Sequence, residues 1–360
     1  MAASATAPVD IVVFSAGEAR YHTLRIPVLV RTESGTLVAF AEGRRHSARD
    51  HGEVDLVAKL SADGGRTWGP LEVLEHEADD EHGGVTLGNP CAVVDRLDVE
   101  HPGRIWLLFM RNNERVFVKS SDDEGVSWSP RQEITASVKD SNWGWYATGP
   151  VHAIQLERGE HAGQLLIPCD HCPRNGRGWG AHAVLSADHG KTWQIGAVDT
   201  HADKETGQAV HPNENVAIEL VDGHVYFNAR NQAPGNAPTR LSATSADGGA
   251  SYEQPFLADT QFTTPVVQNS LTRVAARDQG AERNLLVWVG PGAPKSRRDL
   301  TVRWSENEGQ SWSAGRVVAA GPAAYSDVVA LADDRVGILF ETGERLYEEI
   351  RYLEASPPPR

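Results

Sequence analysis

The chain has 360 residues, a formal net charge of −15 and 40% apolar residues, an ordinary globular composition with enough material for a sizeable core. So acidic a chain argues against wholesale binding of nucleic acid or of an anionic membrane, both of which need positive fields, so an anionic ligand must be caught by a local basic cluster. No apolar run approaches the roughly 20 residues that span a bilayer, and the three cysteines, Cys91, Cys169 and Cys172, cannot all pair within one chain.

The start, MAASATAPVDIVVFSAG, has no basic region followed by an apolar stretch of signal-peptide length, so a cytoplasmic location is expected. The next stretch holds LRIPVLVRT, TLVAFAEGR, DLVAKLSA and TWGPLEVLE, four short β-rich runs separated by turn chemistry. The third and fourth runs are joined by an octet, SADGGRTW at 61. It returns as SDDEGVSW at 121, SADHGKTW at 186, SADGGASY at 245 and SENEGQSW at 305. A period of about 60 residues marks a repeat architecture, and four strands in meander per repeat is a propeller blade. In each octet the Ser and Asp side chains can bond to nearby backbone, the second-half glycine can take positive φ, and the aromatic ring can pack beside the hairpin. The octets are therefore scaffold.

Between the second and third octets, NWGWYATG at 142 offers either an aromatic surface for a sugar or packing between blades. PCDHCPRNG at 168 carries Cys-x-x-Cys, Asp170 and His171. A single cysteine pair is a weak zinc signal, and a substrate-rim position for Asp170 and His171 is favoured over a metal site. GPGAPKSRR lacks the order and the strand-to-helix setting of a phosphate loop. The strand pair near YSDVVALADDRVGILFETG completes a sixth blade with the chain's beginning, and EASPPPR reads as a frayed tail. The expected fold class is all-β, a six-bladed β-propeller of four-stranded antiparallel blades, forming one catalytic domain over 1–360 with an ordered core over about 11–354.

These octets resemble the Asp boxes (BNR repeats) of the sialidase (neuraminidase) superfamily, and LRIPVLV resembles that family's Arg-Ile-Pro signature. In an up-and-down meander the octets occupy one end of each blade. The start of the first strand and the loop after the second strand lie at the other end. That parity gathers Arg25, Glu42, Arg44, Asp50, Glu214, Arg230, Arg297, Tyr325 and Glu341 at one mouth.

The resemblance implies roles for them. Arg25, Arg230 and Arg297 would grip a substrate carboxylate, with Arg298 the alternative to Arg297. Asp50 would be the acid/base, Glu214 and Tyr325 the nucleophilic pair, and Glu341 the carboxylate steadying Arg25. Glu42 and Arg44 are either rim residues that orient Arg25 or touch the N-acyl side of the sugar, or a structural salt bridge.

The implied activity is an exo-α-sialidase acting on sialylated oligosaccharides or glycoconjugates. It would use a retaining mechanism with a tyrosine nucleophile and an acidic optimum, and no metal or other cofactor. Two rivals are a catalytically silent glycan-binding propeller and a propeller hydrolase or lyase for another acidic sugar. Linkage, sialic acid variant, hydrolysis against transfer or anhydro product, and oligomeric state stay open.

Overall fold

In a computed structural model, the described residues are 9–78, 83–176, 178–199, 210–233 and 238–357. The first eight residues and the last three of the proline-rich tail lie outside them. Six sheets of antiparallel strands form a ring, a six-bladed β-propeller. Blade 1 runs Thr23–Arg31, Leu37–Arg44, Val54–Ser61 and Glu72–Glu75. Blades 2 to 5 repeat the meander, blade 3 with an extra two-residue strand. Blade 6 joins Ser326–Ala330, Val336–Thr342 and Glu349–Ala355 to Asp10–Ser15, so both ends of the described chain close the ring. The described helices are one α-turn and three short 3-10 turns, and none of them is long and apolar enough to cross a membrane.

The alternation of each strand puts apolar side chains on both faces, because every blade is covered by a neighbour on each side. Among the described residues seven clusters of buried residues result, six packed between adjacent blades and a small seventh of Ile26, Val267, Ala324 and Tyr325 at the mouth. Val28, Phe40, Leu107 and Phe109 join blades 1 and 2, while Phe14, Leu29, Leu339 and Tyr352 join blades 6 and 1. The first strands meet around the axis, where the buried Asp327 carboxylate accepts from Leu29 N and His152 N, both at 2.9 Å, and contacts His152 Nδ1 at 2.6 Å. One side chain from blade 6 thereby braces chain from blades 1 and 3.

In each octet, the turn between third and fourth strands, the serine hydroxyl donates to the Asp or Asn two residues on and accepts from the glycine N–H four residues on. Ser61 Oγ accepts from Gly65 N at 2.8 Å and donates to Asp63 Oδ1 at 2.9 Å. Asp63 also accepts from Arg66 N, Thr67 N and Thr67 Oγ1, and Trp68 Nε1 donates to Gly65 O. In the first three octets the aromatic meets a ring of the preceding blade edge-on: Trp68 against Tyr352, Trp128 against Phe40, Trp193 against Trp106. Gly65 is required twice over: its φ is +88°, and a Cβ there would lie 2.1 Å from the Tyr352 ring.

Candidate active site

At the mouth opposite the octets lies a cavity of about 270 Å³, lined by Arg25, Glu42, Arg44, Asp50, Glu214, Arg230, Arg297 and Tyr325 among others. Glu341 does not line it. That carboxylate is fully buried behind Arg25. A second cavity, about 290 Å³, opens near the ends of the first strands on the octet side. Two of its arginines, Arg158 and Arg273, are already paired with Glu219 and Glu308, and no tyrosine faces it.

Arg25 is the third residue of the first strand of blade 1, just before a bulge. Ile26 takes φ of +61°, and the strand register slips between Arg25 and Val28. The slip turns the Arg25 side chain toward blade 6. There Nε and Nη2 donate to the two oxygens of Glu341 at 2.9 and 3.0 Å, a bidentate fork. Glu341 also accepts from Ile26 N and Tyr325 N. Although burial opposes its charge, Arg25 is held more firmly protonated by Glu341. Blade 2 repeats the bulge as Gly88-Asn89-Pro90, with Asn89 at φ +51°. A side chain at Gly88 would strike Glu42, 2.4 Å from the built Cβ. Where blade 1 has an arginine, blade 2 therefore makes room for a carboxylate.

Glu42 and Arg44 form a buried ion pair at 2.7 Å. Arg44 Nη1 extends it to Ala48 O at 2.7 Å and to Asp50 Oδ1 at 2.8 Å, fixing the loop that presents Asp50. The pair thus acts on Asp50, while Glu341 grips Arg25. Glu42 and Arg44 thus form a salt bridge and also line the cavity. The Asp50 side chain is 72% exposed. Burial raises its pKa, but the charges of Arg44 and Arg25 outweigh that and hold it below the ordinary carboxylate value.

Tyr325 precedes the first strand of blade 6, and its hydroxyl donates to Glu214 Oε1. Arg230 Nη1 bonds Glu214 Oε2 at 2.8 Å and Tyr325 Oη at 3.0 Å, so three groups from blades 4 and 6 share one hydrogen-bonded cluster. Burial, and then the Glu214 charge, push the phenol well above its usual pKa despite three arginines nearby. It is neutral at any physiological pH. Arg297 bonds Tyr347 Oη at 2.7 Å and Val266 O at 3.1 Å, with its guanidinium 5.6 Å from the Tyr325 ring centre. It lines the cavity, and the exposed Arg298 does not.

The rim position expected for Asp170 and His171 is corrected. Both sit in the strand Leu165–Pro173, which is paired on both sides, and they are 0% and 1% exposed. His171 stacks on Trp143 with ring centres 3.9 Å apart. Asp170 accepts from Asn213, Glu214's neighbour in the strand Pro212–Glu219, and burial followed by the Glu214 charge pushes its carboxyl well above the usual range. Cys169 and Cys172 are buried thiols. Within NWGWYATG the two uses are divided. Trp143 and Tyr146 pack into the cluster between blades 2 and 3, while Trp145 lines the cavity.

Sequence reasoning missed several residues here. Tyr347 lies 3.9 Å beneath the Arg25 guanidinium, a cation–π contact from a loop with no motif. Trp179 meets Trp145 edge-on at 4.8 Å on the cavity wall. Asn89 had a visible signal, since Gly-Asn-Pro repeats the register of Arg-Ile-Pro one blade on.

The chain matches the BNR repeat-like domain family over residues 35–338. It is 30% identical over 349 residues to a sialidase of Micromonospora viridifaciens, covering 91% of this chain and 51% of that protein, so it spans about half of that relative's length. Sialidase-2 of Rattus norvegicus is 27% identical over 383 residues, covering 93% of this chain and 94% of the relative. Among solved structures, a Hadza microbial sialidase superposes with a TM-score of 0.82 at 25% identity, covering 96% of this chain and 68% of that one. An intramolecular trans-sialidase from Ruminococcus gnavus, at 17% identity and a TM-score of 0.74, shares the fold over 96% of both chains.

Proposed function

The chain belongs to the sialidase superfamily with Asp-box repeats, and from that premise we propose that it is an exo-α-sialidase releasing terminal α-linked sialic acids from oligosaccharides or glycoconjugates. The observation that carries the reading is the hydrogen bond from the Tyr325 hydroxyl to Glu214 in a cavity that Arg25, Arg230 and Arg297 also line. Three guanidinium forks suit a small carboxylate, and they explain how an acidic protein holds an acidic sugar.

A sialic acid bears its carboxylate on the anomeric carbon. An anionic nucleophile approaching that carbon would meet like charge, and a neutral phenol does not. In the first displacement Tyr325 Oη bonds to the anomeric carbon while Glu214 takes the phenolic proton and Asp50 protonates the departing glycosidic oxygen. In the second, Asp50 deprotonates a water that attacks the same carbon, and the phenoxide leaves with the proton held by Glu214. Two inversions give net retention. The six blades act as one catalytic unit in this scheme, because its groups come from blades 1, 4, 5 and 6 and the loop that holds Asp50.

The test is release of fluorophore from an α-sialoside by the wild type and by Tyr325→Phe. Wild-type turnover with a loss of about 100-fold or more in the variant is expected. Absence of wild-type release would remove the sialidase assignment. An undiminished variant would remove Tyr325 as nucleophile.

A further inference from the structure

The octets carry a second feature besides their shared turn. Their fourth residue takes the left-handed conformation, with φ of 61° at Glu124, 58° at His189 and 59° at Glu308. Its side chain reaches the turn after the first strand of the preceding blade. Glu124 accepts there from Ser34 and Thr36 at 2.7 and 2.9 Å. Glu308 accepts from Val221 N at 3.0 Å and from Arg273 at 3.1 Å. In both cases a carboxylate meets donors.

At the junction of blades 2 and 3 the chemistry is inverted. His189 meets two carboxylates, Asp95 and Asp98, which are 0% and 4% exposed. Its Nδ1 lies 2.9 Å from Asp95 Oδ2, and one donor atom from each of the three residues lies within 4.8 Å of the others. Asp95 Oδ1 is occupied by Leu97 N, Asp98 N and Gln155 Nε2. Asp98 Oδ1 holds Glu100 N at 2.9 Å, but Asp98 Oδ2 is buried with no hydrogen-bond partner. Arg104, close enough to act on both carboxylates, is engaged with Asp122 at 2.6 Å.

A buried carboxylate oxygen with no donor carries a desolvation penalty that a bound cation removes. On a tetrahedral zinc with bonds of about 2.0–2.1 Å two ligand atoms lie roughly 3.3 Å apart, so the 2.9 Å hydrogen bond between His189 and Asp95 need open by only a few tenths of an ångström to admit the cation. An imidazole nitrogen with two carboxylates suits a borderline cation and disfavours calcium, which takes oxygen ligands.

We propose that Asp95, Asp98 and His189 bind one divalent transition-metal cation, of the zinc class, that staples blade 2 to blade 3 on the face away from the cavity. Water completes the coordination on the side of His189, whose side chain is 31% exposed. The site is separate from the chemistry of Tyr325 and supports the scaffold.

The experiment titrates Zn²⁺ into the chelator-stripped full chain by calorimetry, with Asp98→Asn and His189→Gln beside the wild type. Because His189 is partly exposed, His189→Gln keeps a folded comparison should Asp98→Asn fail to fold. The wild type should bind one equivalent that either variant binds at least ten-fold more weakly. Zn²⁺ should raise the thermal midpoint of the wild type only, and fluorogenic turnover should be equal in all folded forms. Equal stoichiometry and affinity in wild type and His189→Gln would overturn the site. Displacement of Zn²⁺ by an equal concentration of Ca²⁺ would overturn its assignment to a borderline cation.

Discussion

On the octet face, Asp63 is held by Ser61, Arg66 and Thr67, all within four residues of it. On the cavity face, Glu341 is held by Arg25 and Ile26, more than 300 residues away, and by Tyr325. Both carboxylates accept several bonds, yet one organises a single turn and the other joins two blades. Local satisfaction makes a unit that can be copied five times. Distant satisfaction makes a unit that exists once and only in the closed ring. The difference separates the two faces: the octet bonds close within one turn, whereas the cavity bonds join separate blades.

The comparison breaks most severely at Glu341. Replacing it with Ala leaves Arg25 buried without its counter-charge, at a cost of about 3–5 kcal/mol, the usual penalty for removing one partner of a buried pair. Denaturant unfolding measures this, and kcat/KM should fall by about 100-fold or more with it, since the same arginine is proposed to grip substrate. A variant of wild-type stability would show that Arg25 finds other partners.

Acidity sharpens the cavity side. As the proposed acid Asp50 must be protonated to donate, and its pKa is held below the ordinary value, so kcat/KM should fall about tenfold per pH unit as pH rises above it. Substrate carboxylate on Arg25 weakens the cationic field, which places the corresponding limb of kcat at higher pH. Arg44→Gln should move the limb upward too. A pH–rate profile flat from acid to well above neutrality would exclude Asp50 as the acid.

On the octet side, Gly65→Ala introduces a Cβ into the Tyr352 ring at a left-handed position, for a loss of about 2–4 kcal/mol by unfolding. The smallest effect belongs to Asp63. Asp63→Ala should cost about 1–3 kcal/mol through its orphaned donors. Asp63→Asn should cost a few tenths, as the fifth octet already uses Asn307, which bonds Ser305 Oγ and Ser311 N in the same way. Thr67 and its neighbours pull Asp63 down to about 2. Its contribution is therefore complete above the unfolded carboxylate pKa of roughly 3.9 and is lost as pH falls through about 2. A mutant series with Asn as damaging as Ala would make the charge, and not the bond pattern, the source of stability.

The same contrast governs what could be read in the chain itself. Blade number, ring closure and the face of the cavity followed from the octets because their bonds are local and therefore written as a contiguous pattern. Arg25, Asp50, Glu214, Arg230, Arg297 and Tyr325 could be gathered from strand parity together with the family resemblance, and they line one cavity. Parity locates an end of a strand but not its depth, which is why Asp170 and His171 were expected at the rim and lie beneath it. Tyr347 and Trp179 sit on irregular segments where no period constrains the side chain, and only tertiary packing brings them to Arg25 and Trp145. The tie from Arg44 to Asp50 was equally hidden, since a bulged strand and a turning loop decide which carboxylate an arginine reaches.

Blade 6 is finished by Asp10–Ser15 pairing with Glu349–Ala355. During synthesis that early strand must wait, unpaired, until Glu349–Ala355 emerges. Arg25 likewise waits for Glu341, and Glu214 for Tyr325. A nascent chain on the ribosome should therefore hold folded middle blades while remaining inert. Turnover would begin only when the last strand is released, which makes the first product molecule a timestamp for the ring's completion.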